Sequence, residues 1–169
     1  EAARLLLDKG AGVDRAVEKG QWKGATPLLV ACYEGHVDAA RLCLDRGADI
    51  NLAADDGWTP LMVVCQTDPD EAVELLLKHN ADVSRATRGS GSTPLHIALQ
   101  NGHRDAARLL LERGADVEQA DEAGWTPLMS VCRTGPVEAV ELLLKHNADV
   151  SRATRGSGST PLHIALQNG

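Results

Sequence analysis

The chain has no phenylalanine, and its aromatic side chains amount to three tryptophans and one tyrosine in 169 residues. Its core must therefore come from Leu, Val, Ala and Ile, which suits small helices packed closely. Positive charge is also in the minority, with 17 Lys and Arg against 24 Asp and Glu and a formal net charge of −7. A surface for nucleic acid needs an excess of cations to displace counterions, so no nucleic-acid partner is expected. No apolar run approaches the ~18 residues of a membrane span, so no membrane insertion is expected in this segment. No signal-like segment opens the chain. It begins directly on helical sequence, Glu1-Ala2-Ala3-Arg4-Leu5-Leu6-Leu7, without an initiator Met, and stops early in a repeat. Both ends are expected to be cuts in a longer array.

Cysteine is sparse as well. Cys32, Cys65 and Cys132 each stand six residues after the Thr of a recurring Thr-Pro-Leu, and Cys43 lies elsewhere. Equivalent slots on packed helices sit roughly 8–10 Å apart. That exceeds the reach of a disulfide, about 7 Å between Cα atoms. The cysteines are expected to be small buried hydrophobes in a reducing compartment, hence an intracellular location, cytoplasmic or nuclear.

What the chain has in abundance is repetition. Thr-Pro-Leu recurs from Thr26, Thr59, Thr93, Thr126 and Thr160, in steps of 33, 34, 33 and 34 residues. A fixed period of this size is the signature of stacked supersecondary units. Such a chain grows by units and has no single closed core. Residues 71 to 102 recur letter for letter as 138 to 169, an offset of 67, so a pair of alternating repeat types has been duplicated.

Within one unit the punctuation is explicit. Thr26 can cap the free amides of a first turn, and Pro27 at the first helical position loses no hydrogen bond. A short helix from Leu28 to about Tyr33 follows, and Gly35 ends it. Val37 opens a second helix that Gly47 ends. A polar stretch through Gly57 then leads to Thr59. In the other repeat type Asp68-Pro69 and Gly135-Pro136 start the second helix. There Asn80 and Asn147 replace the terminating Gly, Asn being the next-best residue for a left-handed turn. Helices this short do not persist alone, so each must bury its apolar face on the next unit.

The run Thr93-Pro94-Leu95-His96-Ile97-Ala98-Leu99-Gln100-Asn101-Gly102-His103, continuing through Ala106-Ala107-Arg108-Leu109-Leu110-Leu111-Glu112-Arg113-Gly114-Ala115-Asp116-Val117, resembles an ankyrin repeat. The resemblance covers essentially the whole chain. It implies an all-α repeat fold: a single domain over 1–169 holding four complete units, half a unit at the start and a first helix at the end. In the implied solenoid, loops project as short β-hairpin fingers and first helices line a concave face. Such proteins are typically scaffolds for other proteins. The pattern is not uniform, since Leu29, Met62 and Met129 replace the His kept at His96 and His163. The loop from Gly10 to Thr26 is also four residues longer than that from Gly47 to Thr59.

Several chemical motifs are set aside. Arg88-Gly89-Ser90-Gly91-Ser92-Thr93 precedes a helix as a phosphate loop would, but lacks the Gly-Lys-Ser/Thr ending and reads as a finger turn. Arg85 and Arg88 near Thr87 and Ser90 form a weak phosphorylation pattern. Cys32 and His36 have a metal-ligand spacing but no second pair, so neither a metal nor a cofactor is expected. His36 and His103 fall at inter-helix turns, and His79 and His146 close second helices, where a cation suits the dipole. His96 and His163 are expected to bond near the capping threonines. No nucleophile–base pair is evident, and the chain is read as non-catalytic.

Matching by register to the variable positions of the ankyrin pattern, the finger tips and first-helix ends give the candidate partner-binding residues. They are Asp55, Asp56, Trp58, Gln66, Thr67, Arg85, Arg88, Ser90, Ser92, Gln100, Asn101, Glu122, Trp125, Arg133 and Thr134. Fingers thus alternate between acidic with Trp and basic with Ser and Gly. The same alternation would arise if fingers of opposite sign merely attract one another. The leading reading is a monomeric scaffold for another protein. Its rivals are a targeting or regulatory segment of a larger signalling enzyme, ubiquitin-ligase adaptor or channel, and a repeat filler with no defined ligand.

Overall fold

The Thr-Pro-Leu signature starts a helix at every occurrence in a computed structural model, which describes residues 1–20, 22–67 and 70–168 (backbone only at Thr134 and Asn168). Among the described residues the helices run in order as α1 (Ala2–Asp8), α2 (Pro27–Tyr33), α3 (Val37–Asp45), α4 (Pro60–Thr67), α5 (Asp70–Lys78), α6 (Pro94–Gln100), α7 (Arg104–Glu112), α8 (Pro127–Thr134), α9 (Val137–Lys145) and α10 (Pro161–Asn168). The hydroxyls of Thr26, Thr59, Thr93 and Thr126 accept from the amides of Leu29, Met62, His96 and Met129 at 3.2, 3.3, 3.3 and 3.3 Å. Each bond satisfies one of the amides that a helix start leaves open.

Helix ends follow the same logic. Asn80 and Asn147 take φ of 61° and 62°, the left-handed conformation that Gly adopts after α3 and α7 at Gly47 (82°) and Gly114 (86°). Pro136 sits just before α9 with φ −71°, at the N-cap rather than inside the first turn. The corresponding start at Asp68-Pro69 lies outside the described residues. In the polar stretches that follow, Asp49, Asp116 and Asp149 accept from the amides two residues on at 2.8–2.9 Å, folding a tight local turn.

The chain resolves into two units, Glu1–Asp82 and Val83–Gly169. In the first, α2 packs on its partner α3 and on the next first helix α4, while α3 packs on α5. In the second, α6 packs on α7 and α8, α8 packs on α9 and α10, and α7 packs on α9. First helices thus stack on first helices and second on second. The leucine of each Thr-Pro-Leu lies at the centre of this packing: Leu28, Leu61, Leu95 and Leu128 are fully buried. Each contributes roughly 1.5–3 kcal/mol through burial.

The duplicated sequence shows that neighbours, not residue identity, decide burial. Leu95 and Leu99 on α6 are 1% and 3% exposed, whereas the identical Leu162 and Leu166 on α10 are 66% and 75% exposed. Among the described residues α10 packs on α8, with no second helix of its own repeat over it. The cysteines are all free thiols. Cys32, Cys43 and Cys65 are buried as expected, but Cys132 is only half-buried. Burial pushes the Cys32 thiol up to about 12, with the nearby Cys43 adding to the effect.

The fingers are hairpin turns pinched by backbone bonds. These run from Val17 to Ala25, Ala54 to Trp58, Thr87 to Ser92, Asp121 to Trp125 and Thr154 to Ser159, at 2.9–3.0 Å. The tips are too short to extend into a ladder, and no strand is formed among the described residues.

Candidate protein-binding surface

The long first finger carries Trp22 into a position the repeat pattern does not define. Its ring meets Tyr33, the last residue of α2, edge-to-face with centroids 4.6 Å apart. Trp58, at the base of the next finger, and Gln66, near the end of α4, complete one groove with Lys23, Ala25, Leu29, Val63, Ala54 and Asp56. The groove has a volume of about 210 Å³. Three of the chain's four aromatic residues therefore line a single half-open cleft in the first unit. Tyr33 remains 47% exposed.

The acidic finger tip flanks this groove. Asp56 accepts from the Trp58 amide at 3.1 Å, which fixes the turn below the indole. Asp55 pairs with Lys23 of the preceding finger at 2.9 Å, raising the lysine's pKa through that hydrogen bond and charge. Both side chains are well exposed, so solvent screens the pair strongly. Gly24 is needed beside it: with φ of 83°, a Cβ there would stand 2.6 Å from the Asp55 amide nitrogen.

In the second unit the expected residues divide into three groups. Trp125 is half-buried, and the Arg133 guanidinium lies over its ring, 5.0 Å from the centroid. Arg85, Arg88, Ser90, Gln100, Asn101 and Glu122 are exposed. Asn101 donates to the Ile97 carbonyl at 2.8 Å, and the Glu122 amide donates to the Ser90 carbonyl of the neighbouring finger at 3.0 Å. The Ser-rich finger uses its hydroxyls internally. Thr87 and Ser90 are 2.6 Å apart, Ser90 donates to Ser92 at 3.0 Å, and the Ser92 amide donates to Thr87 at 3.1 Å. That network suits a rigid turn, and Thr87 is buried within it. In the first unit Gln66 and Thr67 are exposed, and the Thr67 hydroxyl returns to the Val63 carbonyl at 3.1 Å.

Fingers of opposite sign do meet. Arg152 pairs with Glu118 at 3.0 Å and also donates to the Glu118 carbonyl. Arg155 lies against Gly124, where a Cβ would be 3.0 Å from its side chain. Neighbouring loops are also tied by backbone amides: Asp49 donates to the Asp14 carboxylate, Asp82 to Asn51 and Asp149 to Glu118, at 2.8–3.1 Å. Charge alternation in the fingers therefore serves cohesion in both units, alongside any contact with a partner.

His96 and His163 sit where the sequence placed them. In each, ring Nδ1 lies within 2.8–2.9 Å of the capping threonine hydroxyl. His96 is fully buried, and its Nε2 reaches the Trp125 carbonyl in the next repeat at 3.1 Å. That carbonyl can only accept, so Nε2 carries the proton and Nδ1 accepts from the Thr93 hydroxyl. Burial lowers the His96 pKa, partly offset by the Trp125 carbonyl and the nearby Asp121.

A larger concavity of about 780 Å³ near α1 is lined by Glu1, Arg4, His36, Asp38, Glu71 and aliphatic residues such as Val37 and Leu42, with no aromatic anchor. Among the described residues no group of three or more His, Cys, Asp or Glu gathers as a metal site. No helix there is long and apolar enough to cross a membrane.

Sequence models described as ankyrin repeats (3 copies) match residues 52–121 and 118–169, and a model described as ankyrin repeats (many copies) matches residues 28–69. The chain belongs to the ankyrin repeat family. Its fold is the ankyrin all-α repeat, and ankyrin repeats mediate protein–protein interaction in a family that is generally non-catalytic. Over 57 residues the chain is 42% identical to protein phosphatase 1 regulatory subunit 27 of Mus musculus, covering 34% of each chain. Over 53 residues it is 40% identical to the ankyrin repeat and KH domain-containing protein mask of Drosophila melanogaster, covering 31% of this chain and 1% of that one. The ankyrin segment thus spans about a third of the first relative's length and a very small part of the second's.

Sequence reasoning missed Trp22 and Tyr33. Tyr33 stands seven residues after Thr26, the first-helix-end slot that also holds Gln66, Gln100 and Arg133, so the register contained the signal. Trp22 lies in the irregular extension of the first finger, where no ankyrin period gives a position.

Proposed function

We propose that this chain is a non-catalytic scaffold holding a partner protein across its fingers and first helices, the side expected to be concave. The observation that carries the reading is the groove of the first unit, where Trp22, Tyr33 and Trp58 meet in a chain with only four aromatics. Tryptophan and tyrosine are enriched among the few residues that dominate interface energies. Asp55, Asp56 and Gln66 supply exposed polar groups in the first unit, and Arg85, Arg88, Ser90, Gln100, Asn101 and Glu122 supply exposed polar groups in the second. Trp58 and Trp125 are the two anchors, 67 residues apart. The chain acts as a monomer over 1–169, in the cytoplasm or nucleus, a placement the free cysteines support.

A second reading is favoured by the relatives. One is named a phosphatase regulatory subunit, and the match covers only a third of it. This chain would then be the positioning segment of a larger regulatory protein.

The test is affinity capture with the intact chain and with Trp22, Tyr33 and Trp58 replaced by alanine, alongside circular dichroism and melting. A protein retained by the intact chain and lost by a still-folded variant supports the scaffold. Retention of the same proteins by both would place binding elsewhere. Separate Trp58→Ala and Trp125→Ala variants distinguish anchors from packing residues. An anchor loses about 2 kcal/mol or more of affinity with little change in melting.

A further inference from the structure

Resting on the scaffold reading, we propose that the aromatic groove of the first unit receives an arginine side chain from the partner. The second unit supplies the pattern. There the Arg133 guanidinium lies over Trp125, 5.0 Å from the ring centroid. Arg133 stands seven residues after Thr126, and Trp125 immediately precedes that Thr. The same spacing recurs in the first unit with Trp58 before Thr59, but the residue seven on is Gln66, and both line the groove. A neutral amide thus stands where the second unit puts a cation.

Lys23 also lines the groove, but its charge is paired with Asp55, which leaves the rings and Asp56 to meet a second cation. Trp22 and Tyr33 add two further rings, and a ring face attracts a cation through its quadrupole. Asp56 brings a carboxylate to the wall. Asp55 beside it already holds a cation, Lys23, at 2.9 Å. A net charge of −7 draws a basic partner toward the surface. Arginine suits the site better than lysine. Its planar guanidinium stacks on indole, donates to a carboxylate and is less strongly hydrated.

The experiment uses the whole chain, isotope-labelled, followed by the indole N–H signals in NMR. The probe is a Gly/Ser nonapeptide with one central arginine, titrated into the millimolar range. Matched peptides carry citrulline, the neutral isostere, or lysine in its place. The arginine peptide should shift the Trp22 and Trp58 signals, with citrulline at least about tenfold weaker. Gln66→Arg should fill the groove with the chain's own guanidinium and weaken the arginine peptide by a similar factor. Gln66 is exposed, so this variant keeps the fold. Asp56→Asn should weaken the arginine peptide and leave the citrulline peptide unchanged. Equal response to arginine and citrulline, unchanged affinity in Gln66→Arg, or no shift at Trp22 and Trp58 would each overturn the arginine assignment. Partner capture that still depends on the three aromatics would then leave the scaffold reading standing. Capture that does not depend on them would place partner binding outside the groove, whatever the peptides show.

Discussion

Replacing His96 by alanine tests how one repeat is locked to the next, and the duplication provides its own control at His163. His96 is fully buried, with its ring between the Thr93 hydroxyl at 2.9 Å and the Trp125 carbonyl at 3.1 Å. Truncation removes one hydrogen bond to the carbonyl, worth about 1 kcal/mol. The carbonyl keeps a second partner, the Asp121 amide at 2.9 Å, so it is not orphaned. The Thr93 hydroxyl does lose its acceptor while buried, costing about 1 kcal/mol or more. The vanished ring adds about 1 kcal/mol for lost burial and the space left behind. Together these give about 3 kcal/mol. His163 has the same local sequence and the same contact to its threonine, but it is exposed. His163→Ala should therefore cost less than about 1 kcal/mol. Thermal unfolding followed by circular dichroism should show His96→Ala melting roughly 6–12 °C lower, with His163→Ala close to the parent. Equal losses for the two variants would refute the account of His96 as an inter-repeat bond. The pH response has a definite sign. The folded His96 pKa lies below its ordinary value of 6.5, so its full contribution is present above that value. Stability is lost as pH falls from about 6.5 through the folded pKa. That loss should persist in His163→Ala and vanish in His96→Ala.

Three further outcomes follow from the same comparison of copies and termini. Amides of α10 should exchange hydrogen much faster than those of α6, because Leu162 and Leu166 are exposed where Leu95 and Leu99 are not. Asn80→Gly and Asn147→Gly should be neutral or stabilising by up to about 1 kcal/mol in denaturant unfolding, while Val at either site costs about 1–2 kcal/mol, because φ is near 60°. Gly91→Ala should cost about 2–4 kcal/mol, since a Cβ would meet the Glu122 nitrogen at 2.7 Å with φ of 68°; Gly158→Ala, at φ 69° with open space around it, should cost only about 1 kcal/mol.

Local punctuation made most of the fold legible. The threonine caps, the left-handed asparagines and the His–Thr contacts depend on residues within four positions of one another, so sequence spacing fixes them. Cys132 shows the limit. It shares its slot with Cys32 and Cys65, yet it is half-buried where they are buried, a difference that position in the repeat does not give. The candidate surface was legible only in part. Trp58 and Gln66 lie on the period and were found. Trp22 reaches Tyr33 through an extended finger whose path no repeat constrains. The stacking of Arg133 on Trp125 depends on side-chain direction, which spacing alone does not give.

The central claim is that a partner docks on the fingers and first helices, with the aromatic groove as an anchor. Hydrogen exchange of the captured complex against the free chain tests it most directly. The account predicts new protection at residues 22–33 and 54–66, with the exposed faces of α3 and α5 unchanged. Protection confined to α3 and α5, with the groove segments exchanging as in the free chain, would contradict it.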